Sequence, residues 1–388
     1  MIKRTPLALA FVCFAILAFS VVNAGEYFRD PHSILWRFAA PLTLSLLCLA
    51  FVVLPATGRL ALGSVLVTVG LIEGFFALLN ASQQPQVETH VDPGYYQEHN
   101  DLGWAPRPGI TTRASKCVDG VPIYDVEYAI DDRGRRITPV ASTQGRTRFV
   151  LFFGCSCTFG EGLAQTETLP FFVSKGAPRI MPYNYGFHGY GPQHLLARLE
   201  SGSLRGEVEE REGDLVYLFI DSHVNRAIGS LAVYNGWAHS APNYEIDATG
   251  EPARRGTLTT GRPLTALAYS FLGSSQVLRH FRVEVPPVIT DGHVEFTARI
   301  LARSAALFHE QFGSGRFVVV IFPGSTLAGR LGSALERLGV ESLDYSQLFD
   351  YRQPEYHLPE DWHPTAKANQ VMAERLDADL ADGADPSR

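Results

Sequence analysis

Three continuous apolar runs constrain the fold of this chain more than any other feature. Residues 148–154 (RFVLFFG), 214–221 (DLVYLFID) and 316–323 (RFVVVIFP) are apolar without alternation and have charged or turn-rich flanks. A strand with one wet face alternates polar and apolar residues, whereas a parallel strand covered by helices on both faces reads as an unbroken hydrophobic run. Helical stretches at 194–200, 293–311 and 327–338 lie between and after these runs. Strands alternating with helices predict a parallel sheet in an α/β domain. In such domains ligands bind beyond the carboxyl ends of the strands. Cys155-Ser156-Cys157 follows the first run, and Asp221-Ser222-His223 ends the second. Asp361-Trp362-His363-Pro364 precedes the last helix, whose start Pro364 favours.

The first eighty residues have a different character. Runs at 6–24, 38–56 and 60–80 each approach the ~20 apolar residues that a membrane-spanning helix needs. Lys3 and Arg4 ahead of the first run place the N-terminus in the cytoplasm, and Arg59 between the second and third runs falls on the same side. A second reading makes the first run a signal peptide cleaved after Val22-Asn23-Ala24. Both readings put the large C-terminal part outside the cytoplasm, held at the cytoplasmic (inner) membrane. Glu73 interrupts the third run; it is either a functional group at membrane depth or an acid reaching the interface near a helix end.

Residues 82–88 (SQQPQVE) form a polar linker. The expected organisation is a membrane anchor of three transmembrane helices over 1–84, a small β-rich lead-in over 85–145, and a catalytic domain over 146–388. The lead-in contains an alternating strand at 123–130 followed by a DDRG turn. An insertion at about 227–290 carries Asn235-Gly236-Trp237 and a hairpin-like stretch at 244–252 (YEIDATGEP). It reads equally as a pocket wall or as a structural cap.

With 46% hydrophobic and 19% charged residues, the 388-residue chain can bury a sizeable core. Its formal net charge of −7 lacks the basic footprint of a nucleic-acid binder. Five cysteines are too few for a disulfide framework. Cys13 and Cys48 sit in apolar runs, which leaves Cys117, Cys155 and Cys157 in the remainder, where a bond from Cys117 to one of the other two is open.

A serine becomes a nucleophile at neutral pH when a base takes its proton and a carboxylate orients that base. His363, with Asp361 two residues before it, can supply both from one loop. Together with Gly154-Cys155-Ser156 after a strand, this pattern resembles the SGNH (GDSL-like) hydrolase family over roughly residues 146–388. Thr158-Phe159-Gly160-Glu161-Gly162 and Glu167-Thr168 also look like members of this family. So does Asn184-Tyr185-Gly186-Phe187-His188-Gly189. The resemblance implies a flavodoxin-like three-layer sandwich with a central parallel sheet. It further implies Ser156 as nucleophile, His363 as base, Asp361 as its orienting acid, and the Gly189 N–H as an oxyanion donor.

The chain departs from the family pattern in three places. The third block, which usually offers an asparagine to the oxyanion, is Asp221-Ser222-His223-Val224-Asn225-Arg226; His223 is the expected third donor there, with Asn225 behind it. Cys155 stands where an aspartate is common beside the nucleophile. The spacing Asp361-x-His363 is one residue shorter than usual, although Glu360 occupies the longer spacing. The shorter form resembles the cell-envelope polysaccharide O-acetyltransferases related to this family.

Thiols are better nucleophiles than hydroxyls, so Cys155 and Cys157 compete with Ser156 on chemistry alone. The resemblance selects Ser156, and packing as small apolar residues accounts for the cysteines. His188 and His194 are expected at exposed positions, His357 has no matched role, and Trp362 is expected to pack the loop. Asp221 with His223 lacks the further ligands of a metal site. The implied protein is a membrane-anchored extracytoplasmic ester hydrolase that deacylates a cell-envelope carbohydrate or lipid. No metal or organic cofactor and no nucleic-acid partner is implied. The alternatives are an O-acyltransferase acting on a polysaccharide and a catalytically silent carbohydrate-binding or assembly module.

Overall fold

The structure, a computed structural model, describes residue 49 and residues 52–83 and 85–382. The run at 6–24 and most of that at 38–56 therefore lie outside the described residues. The chain divides into two compact units. One comprises the described chain up to residue 84 with 230–239 and 257–288; the other comprises 85–229, 240–256 and the chain from 289 onward.

The first unit is built on the helix Ala56–Gln83, which contains the third apolar run. Among the described residues it is the one helix long and apolar enough to cross a membrane. Its polar residues meet the segment after residue 274. Glu73 accepts from Ser275 Oγ at 2.7 Å and from the Gln276 N–H at 2.5 Å. Asn80 Nδ2 donates to the Gln276 carbonyl at 3.0 Å, and its Oδ1 lies 2.9 Å from His280 Nδ1. Glu73 thus caps the helix Gln276–His280, whose first N–H groups have no intrahelical partner.

The second unit opens with antiparallel strands. β1 (Val87–Val91), β4 (Thr111–Val118) and β5 (Val121–Ala129) form a three-stranded sheet, and β2 (Tyr96–His99) pairs with β3 (Gly103–Pro106). The β4–β5 register slips between Lys116 and Cys117, a local irregularity of the kind that re-aims a side chain.

The central sheet comprises β6 (Arg148–Phe153), β7 (Ile180–Asn184), β8 (Glu212–Phe219), β11 (Phe317–Ile321) and β12 (Glu341–Asp344). Between β8 and β11 the chain also forms a two-stranded sheet from β9 (Pro242–Ile246) and β10 (Pro252–Thr257), on either side of the expected turn. The five-stranded order is β12-β11-β8-β6-β7, with every neighbouring pair parallel. Counted along the chain, that is the 2-1-3-4-5 order of doubly wound folds. The chain winds one way from β6 to β7 and the other way to β8, so the switch point lies at the carboxyl end of β6, where Ser156 follows.

The unbroken apolar runs have the expected cause: alternate residues of each strand feed opposite cores. Phe149, Leu151, Phe153, Tyr217, Phe219, Val319 and Ile321 pack with the helices Pro192–Glu200, Asp291–Phe312 and Ala328–Arg337. Val150, Phe152, Val216, Leu218, Val318 and Val320 face the helices Leu169–Gly176 and Ala366–Asp382. A third cluster joins Tyr95, Tyr124 and Tyr128 of the antiparallel region to Phe159 and Phe187 beside the loop after β6.

Candidate active site

The loop after β6 turns sharply at Gly154, whose φ is +150°. A Cβ there would lie 2.2 Å from Thr158 Oγ1 and 3.0 Å from the Leu218 carbonyl, so glycine is required by both conformation and space. Ser156 then begins the short helix Ser156–Phe159. Arg136 clamps this turn from the lead-in, donating from Nη1 to the Phe159 carbonyl at 2.8 Å and from Nη2 to the Leu163 carbonyl at 2.5 Å. Burial pushes its guanidinium down to about 10. Asn184, at the end of β7, closes the other side: its Nδ2 donates to the Thr158 carbonyl at 3.1 Å, and its Oδ1 accepts from the Gly186 N–H at 3.0 Å.

Opposite this turn, the loop before the last helix folds back on itself. Glu360 has φ +49°, the Asp361 N–H donates to the Leu358 carbonyl, and the Leu358 N–H donates to that of His363. The fold-back lets the short Asp361 side chain reach a residue two positions ahead. Asp361 Oδ1 lies 2.5 Å from His363 Nδ1 and accepts from the His363 backbone N–H at 3.0 Å. On the far edge of the ring, His363 Nε2 lies 2.8 Å from Ser156 Oγ. The three residues expected to act together lie in one hydrogen-bonded line. Glu360 is exposed at the turn.

Three further groups bear on that line. Lys116, at the register slip of β4, donates from Nζ to Asp361 Oδ2 at 2.8 Å. Glu161 Oε2 stands 3.4 Å from His363 Nε2 and 2.6 Å from His188 Nδ1, while His188 Nε2 meets Tyr95 Oη at 3.0 Å. The expectation of exposed positions for His188 and His194 is corrected. His188 is bonded at both ring nitrogens, because the lead-in covers its loop. His194 is 2% exposed; it stacks on Tyr190 and accepts the Gly191 N–H, which caps the helix Pro192–Glu200.

The electrostatics follow from these contacts. Burial alone would push Asp361 up, but its bonds to His363 and Lys116 hold it well below the usual carboxylate range. Burial would likewise raise Glu161, and the charge and bond of His188 with the charge of His363 bring it down to about 2. His363 is pulled down by burial and pushed up more strongly by the Asp361 bond and the Glu161 and Asp361 charges. Glu161, Asp361 and His363 are near enough together to be considered as cation ligands. However, both Asp361 oxygens accept from Lys116 and His363, and His363 Nδ1 is engaged by Asp361, so the set serves itself rather than an ion.

The oxyanion side differs from the expectation at His223. Its ring is fully buried, with Nδ1 2.8 Å from Tyr217 Oη, and it lies beside Cys155 beneath the turn after β6 rather than in an open cleft. Its position in the first turn after β8 directs it into the core. Asp221 is turned away as well, accepting from Ser325 Oγ and from the Thr326 N–H and hydroxyl. Gly189 has φ +75° in the loop after β7. Cys155 and Cys157 are buried in the core beneath the sheet, and with Cys117 they are free thiols. Trp362 is 67% exposed next to His363, with one ring face stacked on His357 at 4.6 Å, instead of being packed away.

Among the residues that the sequence did not single out for a role, Glu161 lay inside a quoted motif, and Lys116 carried no signal. Nothing in an alternating strand marks which lysine points at a carboxylate 245 positions away.

No known family profile and no curated protein matches the sequence. Solved structures do show similarity. A lipolytic protein of the G-D-S-L family from Veillonella parvula is 10% identical over 59% of this chain and 96% of its own, with a TM-score of 0.34. An acetyl xylan esterase from the rumen bacterium Butyrivibrio proteoclasticus is 11% identical over 64% of this chain and 65% of its own, with a TM-score of 0.37. A family two carbohydrate esterase from Cellvibrio japonicus is 13% identical over 76% of this chain and 98% of its own, with a TM-score of 0.33. These three solved proteins are a lipolytic protein and two carbohydrate esterases, and what this chain does rests on its own residues.

Proposed function

We propose that this protein is a serine ester hydrolase of the SGNH type, anchored by the helix Ala56–Gln83 with its catalytic unit outside the cytoplasm. The observation that carries the reading is the bonding of His363 on both edges, to Asp361 Oδ1 at 2.5 Å and to Ser156 Oγ at 2.8 Å. Asp361 accepts the Nδ1 proton, which leaves the Nε2 lone pair for the Ser156 hydroxyl. Ser156 Oγ attacks the ester carbonyl carbon as its proton passes to Nε2, and the resulting imidazolium is stabilised by Asp361. Collapse of the tetrahedral intermediate breaks the carbon–oxygen bond and gives the Nε2 proton to the departing alcohol. Water then repeats the sequence on the acyl-enzyme, releasing the acid. The Ser156 and Gly189 N–H groups are the oxyanion donors in this scheme.

An ester-bearing carbohydrate is the substrate class best supported. Trp362 offers an exposed flat apolar face beside His363, suited to the C–H face of a sugar ring. A cavity of about 270 Å³, lined by Gly154, Tyr185, Phe187, Tyr190, Gly191 and Arg198, adjoins the loops that carry Ser156 and Gly189. Its mix of aromatic and charged walls fits one ring-sized polar group. Passing the acyl group to a sugar hydroxyl instead of water uses the same first half of the sequence.

The test is labelling of the full chain with a fluorophosphonate, followed by peptide mapping. Label is expected on Ser156 and lost in Ser156→Ala, while Cys155→Ala and Cys157→Ala keep it. Label persisting elsewhere in Ser156→Ala overturns the reading. Acyl release that requires an added glycan, with the acyl group recovered on it, assigns transfer in place of hydrolysis.

A further inference from the structure

We propose that residues 263–288 form a second membrane contact, an interfacial patch lying in the headgroup layer of an anionic bilayer; this rests on reading Ala56–Gln83 as the anchor. The helix Pro263–Gly273 is inside out for a water-soluble surface. Its inward positions are the small residues Ala266 and Ser270, at 1% and 5% exposure. Its outward positions are Leu264, Leu267 and Phe271, at 82%, 37% and 58%. The apolar exposure continues through Phe281, Val283 and Val288. A contiguous apolar face of this kind marks an interaction site in a folded protein.

Continuity with the anchor selects the bilayer as its occupant. The segment after residue 274 is fastened to the same apolar helix, through Glu73 and Asn80 and by the Phe76 ring packing at a tilt against His280 and Phe281, with ring centres 4.8 and 5.5 Å apart. The helix runs from Ala56 to Gln83, so the stretch before Glu73 is about 26 Å long at 1.5 Å per residue, close to the ~30 Å of a hydrocarbon core, and the bonds from Glu73 to Asn80 can lie at its interface. Polar residues of a spanning helix are least costly at the interface, which sets the depth of the attached segment.

Charge supports the same occupant. The stretch 257–288 contains Arg262, Arg279 and Arg282 against Glu284 alone, a formal +2 in a chain of −7. Among the described residues Arg279 and Arg282 form no ion pair; they rim an open groove of about 500 Å³ walled by Leu272, Leu278 and Val283. Basic residues beside apolar ones match the layered chemistry of phosphate headgroups over acyl chains.

Brominated phospholipids quench tryptophan in contact with them, and the full chain can be reconstituted in phosphatidylcholine vesicles with or without phosphatidylglycerol. Leu264→Trp and Phe271→Trp alter exposed positions and so leave packing intact. Each is expected to lose the added emission, relative to the parent protein, when the lipids are brominated near the headgroup. Leu66→Trp reports on the anchor and is expected to be quenched by bromines deeper in the chains; Val121→Trp, exposed on β5, keeps its emission. Quenching at Leu66→Trp with none at Leu264→Trp and Phe271→Trp overturns the patch while leaving the anchor, and gives that face to a protein partner. No quenching at Leu66→Trp overturns the anchor and the patch with it. The double variant Arg279→Gln/Arg282→Gln is expected to lose the extra quenching that phosphatidylglycerol brings; unchanged quenching refutes the anionic preference.

Discussion

Replacing Asp361 by asparagine exchanges one oxygen for an NH2 group at the most crowded point of the proposed triad. The carboxylate now serves three donors: Lys116 Nζ on Oδ2, and the His363 backbone N–H and Nδ1–H on Oδ1. Asparagine has a single acceptor oxygen. Lys116 is a cation only 20% exposed, and a charge-assisted bond outcompetes a neutral one, so the amide oxygen turns to Lys116 and its NH2 turns to His363. Nδ1 must then accept, which moves the ring proton to Nε2. Glu161 Oε2, 3.4 Å away, holds it there, and the imidazole can no longer take a proton from Ser156. The full penalty for a wrong tautomer is expected, about 10⁴ in kcat, or roughly 5.4 kcal/mol at 1.36 kcal/mol per tenfold. The assay is p-nitrophenyl acetate turnover by the full chain in detergent, with circular dichroism as the check on folding. Adding Lys116→Met frees the amide oxygen for Nδ1, so the double variant is expected to be more active than Asp361→Asn alone, a coupling of opposite sign to simple damage. A loss below about tenfold in Asp361→Asn, or an equal loss in Glu360→Gln, refutes this account of how His363 is oriented.

Glu161→Gln removes a negative charge beside Nε2 that helps push His363 up; because activity needs neutral His363, the acid limb of the pH–rate profile is expected to move to lower pH, and an unmoved limb counts against the contact. Lys116→Met leaves Asp361, whose side chain is 3% exposed, without its cation, and chemical denaturation is expected to register a loss of about 2–3 kcal/mol, less than for a fully buried pair because Lys116 is partly wet. Burial raises Asp377 from 3.8 to about 7, and its Oδ1 is buried without a partner among the described residues. The folded state therefore keeps a proton that the unfolded chain loses, so stability falls as pH rises through that window and stays lost above it. Asp377→Asn is expected to raise the Tm at about pH 8 and leave it nearly unchanged at about pH 4; equal effects at both would exclude titration as the cause.

The central strands were legible because β6, β8 and β11 are buried on both faces, and burial on both faces leaves no polar alternation. The two remaining strands of the sheet were not. β7 contains Pro182, which cannot donate to a ladder and is tolerated at an edge, and β12 is the four-residue, half-exposed ESLD at the other edge. Edges lack the burial that writes itself into composition. The same distinction governs the site. Ser156, Asp361 and His363 stand beside a strand end or a helix start, where local spacing carries information. Lys116, Arg136 and the Glu161–His188 pair act across the chain, through contacts that no local pattern encodes. His223 was misjudged for a related reason: the family block gives its place in the chain, but whether a first-turn side chain points to the cleft or the core depends on Tyr217 and Cys155 beneath it.

Lys116 and Asp361 are bonded across a separation of 245 residues. A nascent chain that has exposed Ser156 still lacks both the base and the acid that would activate it, because these lie more than 200 residues further along. The entropic cost of closing a loop grows only logarithmically with its length, yet the closure cannot begin until the segment with Asp361 and His363 is available. The proposed nucleophile is therefore inert until that segment has been made and has folded against it. A truncation before Asp361 removes both the acid and the base of the proposed triad and is expected to yield a silent protein rather than a partly active one.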